Sequence, residues 1–280
     1  MEKAIKRYFP IFVLPTMIAF TLGFIIPFVE GVYLSFCKFT TVNDAKFIGF
    51  ANYAKVFADE TFVHAFWYTA AFTVVSVILI NVLAFAVALL LTKGFKGTNI
   101  FRTVFFMPNL IGGIVLGYIW QLLLNGILMK FSRTLTYSST YSFWGLIILM
   151  CWQQIGYMMI IYIAGIQNIP GELIEAAEID GATKWQILKK VTIPMVMPSI
   201  TVCTFLTLTN SFKLFDQNLA LTNGEPSKMS EMLALNIFNT FYGRTGYEGV
   251  GQAKAVIFFI LVTVIALTQN YLTRRKEVQQ

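Results

Sequence analysis

The stretch FWGLIILMCWQQIGYMMIIYIAG (residues 143–165), followed at once by IQNIPGELIEAAEIDGATKW (166–185), decides how this chain folds. The first part carries no charged side chain. It is also long enough to cross a hydrocarbon layer, which takes about 20 apolar residues as a helix. The second part changes solvent within a few residues. Asn168 can cap a new helix, with Pro170 in its first turn. Glu172 and Glu175 then fall where the helix dipole favours negative charge, and Gly181 can supply the left-handed residue that ends it. Leu173, Ala176, Ala177 and Asp180 recur at three- and four-residue steps, so one face is small and mostly apolar. By spacing alone such a helix either docks on a soluble partner or lies on the bilayer surface.

Five further runs are built like residues 143–165: 11–36, 67–91, 103–125, 195–216 and 254–273. Pro15 and Pro27 interrupt the first, which neighbouring helices tolerate by re-bonding the freed backbone. Gly113 and Gly117, four apart in the third, permit close approach of another helix. Over the whole chain 57% of residues are apolar and 12% charged, against about 25% charged in a soluble domain. The fold class expected is all-α: a polytopic transmembrane bundle of six helices in a single domain, 1–280, with a short cytoplasmic helix within the 168–190 loop.

The net charge of +7 suits topology better than nucleic acid. Three basic residues lie in each of four stretches: Lys3, Lys6 and Arg7; Lys93, Lys96 and Arg102; Lys184, Lys189 and Lys190; Arg274, Arg275 and Lys276. Six helices put all four on one side, so both termini are expected in the cytoplasm. The connections at about 38–66 and 216–253 then become ordinary exterior loops, the first holding His64. With one histidine and three scattered cysteines (Cys37, Cys151, Cys203), neither a metal site nor a nucleophile–base pair is expected, and the chain reads as no enzyme. Lys213 and Asp216, three apart, suggest a local ion pair.

Two polar faces interrupt the apolar runs. Gln153, Gln154 and Tyr157 share one face of the fourth helix, and Thr207, Asn210 and Ser211 cluster in the fifth. Amides and hydroxyls beside an aromatic ring suit a sugar, which has polar edges and an apolar C–H face. The same residues could instead bond across helices as packing contacts. Asn81 and Asn125 read as packing or boundary residues.

Glu175-Ala176-Ala177, then Gly181, then Val191-Thr192-Ile193-Pro194 resembles the EAA motif of permeases of binding-protein-dependent ABC importers, with two conservative changes at its end. Phe47–Tyr53, Arg102–Pro108 and Gly251–Ala253 are similar to the carbohydrate-uptake branch, maltose, glycerol-phosphate and multiple-sugar types among them. Leu221–Pro226 is similar too, except that Glu225 stands where that branch usually has glycine. The resemblance implies a bacterial plasma (inner) membrane protein that imports sugar. It implies a second homologous permease, two ATPase subunits docked on Glu175, Ala176, Ala177 and Gly181, and an extracytoplasmic sugar-binding protein. It also implies that Gln153, Gln154, Tyr157, Thr207 and Ser211 match transport-site positions. ATP and Mg are expected on the partner ATPases, since the chain lacks a G-x-x-x-x-G-K-[ST] loop. A secondary transporter or channel for small polar solutes is the competing reading, and the absence of acids midway along the runs argues against it.

Overall fold

The computed structural model describes residues 2–94 and 96–274, apart from the side chains of 2–8, 10 and 274. The side chains of Lys3, Lys6, Arg7 and Arg274, and all of Arg275 and Lys276, therefore lie outside the description. Contacts divide the chain into two compact units, residues 1–60 with 237–260 and residues 61–236 with 261–280.

In the first unit, α1 (Glu2–Phe20), a π-helical turn (Thr21–Ile25) and α2 (Ile26–Leu34) make one crossing. Pro27 lacks the N–H that would continue the α-helical ladder, and the turn widens just ahead of it. Two short strands follow, β1 (Cys37–Lys38) and β2 (Lys46–Phe47), paired antiparallel with Cys37 opposite Phe47. Then comes α3 (Ala51–Phe57), so this expected loop is folded. Asn52, 3% exposed, ties it down by donating to the Ser35 and Cys37 carbonyls at 2.9 and 2.8 Å. The unit is completed by the later part of α13 (Leu233–Gly243) and the first part of α14 (Glu248–Arg274). Lys254 of α14 is fully buried, donating to Asp59 and to Thr240 Oγ1, both at 2.8 Å. In water-poor surroundings a buried ammonium persists only with such partners.

The second unit is organised around α7 (Ser139–Gln167). Of the apolar stretch within it 61% is buried, against 11% for α6 (Gly113–Leu128) and its short extension, so α7 is central and α6 peripheral. Leu146, Leu149, Met150, Met158, Met159 and Tyr162 of α7 pack with Phe72 and Ile80 of α4 (Glu60–Leu91) and Cys203 of α11 (Met197–Phe212). His64 lies on α4 rather than in a loop: Glu60 begins a helix whose apolar periodicity starts later.

Two expected crossings are not continuous helices. The third is split into α5 (Thr98–Phe106), a 3-10 turn (Met107–Leu110) and α6, because Pro108 and the Gly112–Gly113 pair interrupt the hydrogen-bond ladder. The fifth is bent by 69° at Val196, between Pro194 and Pro198. It runs through α9 (Lys184–Ile187), a π turn (Leu188–Thr192) and α10 (Ile193–Met195) into α11. Among the described residues five helices are long and apolar enough to cross a membrane, six with the bent pair as one span. Helix α11 stops at Phe212, and α12 (Asp216–Leu221) takes up part of what reads as exterior loop. Its Ala220 and Gln217 sit against Gly117 and Gly113, so the small-residue face of α6 does receive a helix.

Gly156 is where α7 meets the broken third span. A Cβ there would land on the Phe105 carbonyl and 2.7 Å from the Phe106 nitrogen, both backbone atoms that cannot rotate away. Gly156→Ala should therefore lower stability by about 1–3 kcal/mol, the usual toll of overpacking. Thermal unfolding of the purified protein measures it; an unchanged midpoint would refute this contact.

Candidate functional site

A polar cleft of about 280 Å³ opens where α7, α11 and α12 converge. Gln154, Asn210, Lys213, Asp216 and Gln217 supply its polar wall, Met150, Leu214 and Phe215 its apolar one. The end of α11 creates it: the helix stops at Phe212 and α12 restarts four residues later, turning both helix ends toward α7.

Two amide pairs stabilise the wall. Gln217 Nε2 donates to Gln153 Oε1 at 2.8 Å, and Gln153 Nε2 donates to the Ile111 carbonyl at 3.3 Å. Asn210 Nδ2 donates to Gln154 Oε1 at 3.4 Å. Among the described residues this leaves Gln154 Nε2 and Asn210 Oδ1 without protein partners, so the cleft offers a donor and an acceptor. Lys213 and Asp216 are exposed, and among the described residues they form no ion pair with each other. Residues 213–215, between α11 and α12, are not helical, so three-residue spacing no longer brings them together.

The other expected site residues go elsewhere. Thr207 is fully buried and belongs to a saturated polar cluster. Asn81 Nδ2 donates to the Val77 carbonyl at 2.8 Å and to Thr207 Oγ1 at 2.9 Å, while Tyr162 donates to Asn81 Oδ1 at 2.6 Å. Thr207 itself donates to the Cys203 carbonyl at 2.7 Å. Asn81 thus joins α4, α7 and α11. Ser211 is buried with its Oγ unbonded, and Tyr157 is half-buried with its ring 6.4 Å from that of Phe106. Neither lines the cleft. Phe215 and Gln217 do, and sequence reading missed them because it placed them at or past the end of a helix; the polar density of Lys213–Asn218 was the available signal.

At the other end of α7, α8 (Gly171–Ile179) follows, with Pro170 at its N-cap. Asn168 closes α7 rather than capping α8, since its N–H continues the ladder to the Ala164 carbonyl. Gly181 has φ +76°; the Ala182 N–H reaches the Ala177 carbonyl at 2.9 Å and the Gly181 N–H the Glu178 carbonyl at 3.0 Å, a full left-handed cap. Thr183 and Gln186 then form a capping box that starts α9. Glu175 and Ala176 are exposed, Ala177 half-buried. Beside them Ile179 and Trp185 are 86% and 69% exposed, two apolar side chains that the periodicity of small residues did not single out. Past α12, Glu225 rather than glycine shapes its turn by accepting the Ser227 N–H at 2.9 Å, and Asn218 holds the loop through Ser230 and Met232.

Spans long and apolar enough for lipid, with a capped and exposed helix between the fourth and the bent fifth, define a polytopic membrane protein. This chain belongs to the binding-protein-dependent transport system inner membrane component family, whose pattern matches residues 80–278. It is therefore an inner membrane permease. The probable starch degradation products transport system permease protein of Thermoanaerobacterium thermosulfurigenes is 42% identical over 96% of this chain and 94% of its own length. A multiple sugar-binding transport system permease of Streptococcus mutans is 28% identical over 99% of each chain. In fold, the chain matches a bacterial ABC transporter involved in import of the acidic polysaccharide alginate, with a TM-score of 0.82 at 23% identity and 98% coverage of both.

Thr207→Val should remove the hydroxyl's hydrogen bonds with Asn81 and with the Cys203 and Thr204 carbonyls, and lower thermal stability by about 0.6–1.7 kcal/mol, the range for polar contacts between membrane helices. Relative uptake of different solutes should stay the same. A shift in selectivity without loss of stability would return Thr207 to the site.

Proposed function

We propose that this chain, acting over 1–280 as one permease domain, forms half of a sugar pathway with a second homologous permease. Two ATPase subunits carry ATP and Mg and bind the surface of Glu175, Ala176, Ala177, Ile179 and Trp185. An extracytoplasmic binding protein delivers the sugar, and both chain termini lie in the cytoplasm. The observation that carries the reading is the pair of unsatisfied amide groups, Gln154 Nε2 and Asn210 Oδ1, in a cleft beside apolar side chains. A relative 42% identical is named for starch degradation products, and neutral oligosaccharides of that sort present hydroxyls for such amides and C–H faces for Met150, Leu214 and Phe215.

Within this proposal the substrate contacts narrow to Gln154, Asn210 and Gln217. Gln153 positions them by holding Gln217 and the Ile111 carbonyl. A transported sugar must be released, and neutral groups serve that end because each hydrogen bond contributes only about 0.5–1.5 kcal/mol net.

Uptake of a panel of sugars by the reconstituted complex tests the site. Gln154→Leu should reduce transport roughly two- to twelve-fold, the equivalent of one such bond, or reorder the preference among sugars. Assembly of the complex should be retained. Unaltered selectivity together with a destabilised complex would remove Gln154 from the pathway.

Coupling is tested separately at Gly181. A side chain there has open space but a left-handed backbone, which costs a non-glycine residue about 1 kcal/mol. Gly181→Leu should abolish sugar-stimulated ATP hydrolysis while the spans stay inserted. Normal transport by that variant would exclude α8 as the docking helix.

A further inference from the structure

Where α6 ends and α7 begins there is an apolar groove of about 270 Å³. Leu124, Ile127 and Leu128 form one wall, Trp144 and Ile148 the other, and Leu135 the floor. The floor is fixed: the Leu135 N–H donates to Asn125 Oδ1 at 2.8 Å, and Ser142 Oγ donates to the Leu135 carbonyl at 3.0 Å. Gly145 gives Leu135 its room, since a Cβ there would sit 2.6 Å from Leu135 Cδ2.

The groove and the polar cleft share no lining residue. Trp144 and Ile148, with Trp152 a turn further on, are all more than two-fifths exposed and form one outward stripe of α7. The groove is a continuation of that stripe.

Tyr141 also lines the groove, and a cation lies against it. The Arg133 guanidinium lies 4.4 Å over the Tyr137 ring and 5.9 Å from the Tyr141 ring, with Nη1 3.4 Å from the Tyr141 hydroxyl. Lys130 precedes it by three residues, and residues 126–141 contain no acid. Among the described residues neither cation has an ion-pair partner. Arg with Tyr at the edge of an apolar surface is the chemistry of a membrane–water boundary.

We propose that this groove binds an anionic phospholipid, with an acyl chain between α6 and α7 and its phosphate on Arg133 and Lys130. A sugar needs more hydrogen-bond partners than this almost wholly apolar lining gives, and a free anion has no use for the groove. A lipid uses both.

Native mass spectrometry of the assembled complex tests this, with dioleoyl phosphatidylglycerol and dioleoyl phosphatidylethanolamine added in turn. The wild type should retain more phosphatidylglycerol. Arg133→Gln should lower that retention several-fold by removing one charge-assisted contact to the phosphate, and leave phosphatidylethanolamine as it was. Ile127→Trp, which fills the groove without touching charge, should lower both. Arg133 and Ile127 are exposed, so unchanged melting temperatures are expected for both variants. Equal retention of the two lipids by wild type overturns the proposal, as does full phosphatidylglycerol retention by Arg133→Gln. Displacement by glycerol phosphate together with indifference to Ile127→Trp would mean an anion site without an acyl chain, and overturn it. Absence of lipid from the assembled complex, with lipid on the isolated chain, would give the groove to a partner subunit.

Discussion

A backbone carbonyl inside hydrocarbon has no water to bond, and this chain interrupts two of its crossings. Everything else about its interior answers to that constraint. Ile111, which closes the 3-10 turn in the third span, has its carbonyl bonded by Gln153. The terminal carbonyl of α12 is bonded by Gln121 at 3.0 Å, and that of α4 by Arg102 at 3.2 Å. Gln153, Gln121 and Arg102 therefore each stand opposite a helix end or a break. This explains why Gln153 and Gln154, adjacent in sequence, do different work: one repairs backbone, the other faces a cleft.

The apolar runs were legible because crossing a membrane leaves so large a compositional trace. Their continuity was not. Pro108, Pro194 and Pro198 are visible in the sequence, yet proline in a membrane helix is compatible with a kink, a split or no change. Which one occurs depends on a neighbour such as Gly156, whose missing Cβ admits the Phe105 backbone. That contact joins residues far apart in the chain, and no local pattern reports it.

The candidate site was legible by face and not by partner. Spacing correctly gathers Thr207, Asn210 and Ser211 on neighbouring parts of α11, but a helix face spans several environments. Asn210 opens into the cleft, Thr207 meets Asn81, and Ser211 is enclosed. Gln217 was obscured because the helix was expected to run through residue 216. The cap at Gly181, by contrast, was readable from sequence, since a left-handed C-cap depends on bonds within six consecutive residues.

The Lys254–Asp59 bond has a consequence for how the protein is made. Its partners are 195 residues apart, and the unit they hold together takes its material from both ends of the chain. A nascent chain emerges at about 5–20 residues per second, so Asp59 leaves the ribosome many seconds before Lys254 exists. During that interval the first unit has no ion pair to close around. Release of the last helix into the bilayer is the event that completes it, so a chain cut short before α14 carries its first crossing unlocked.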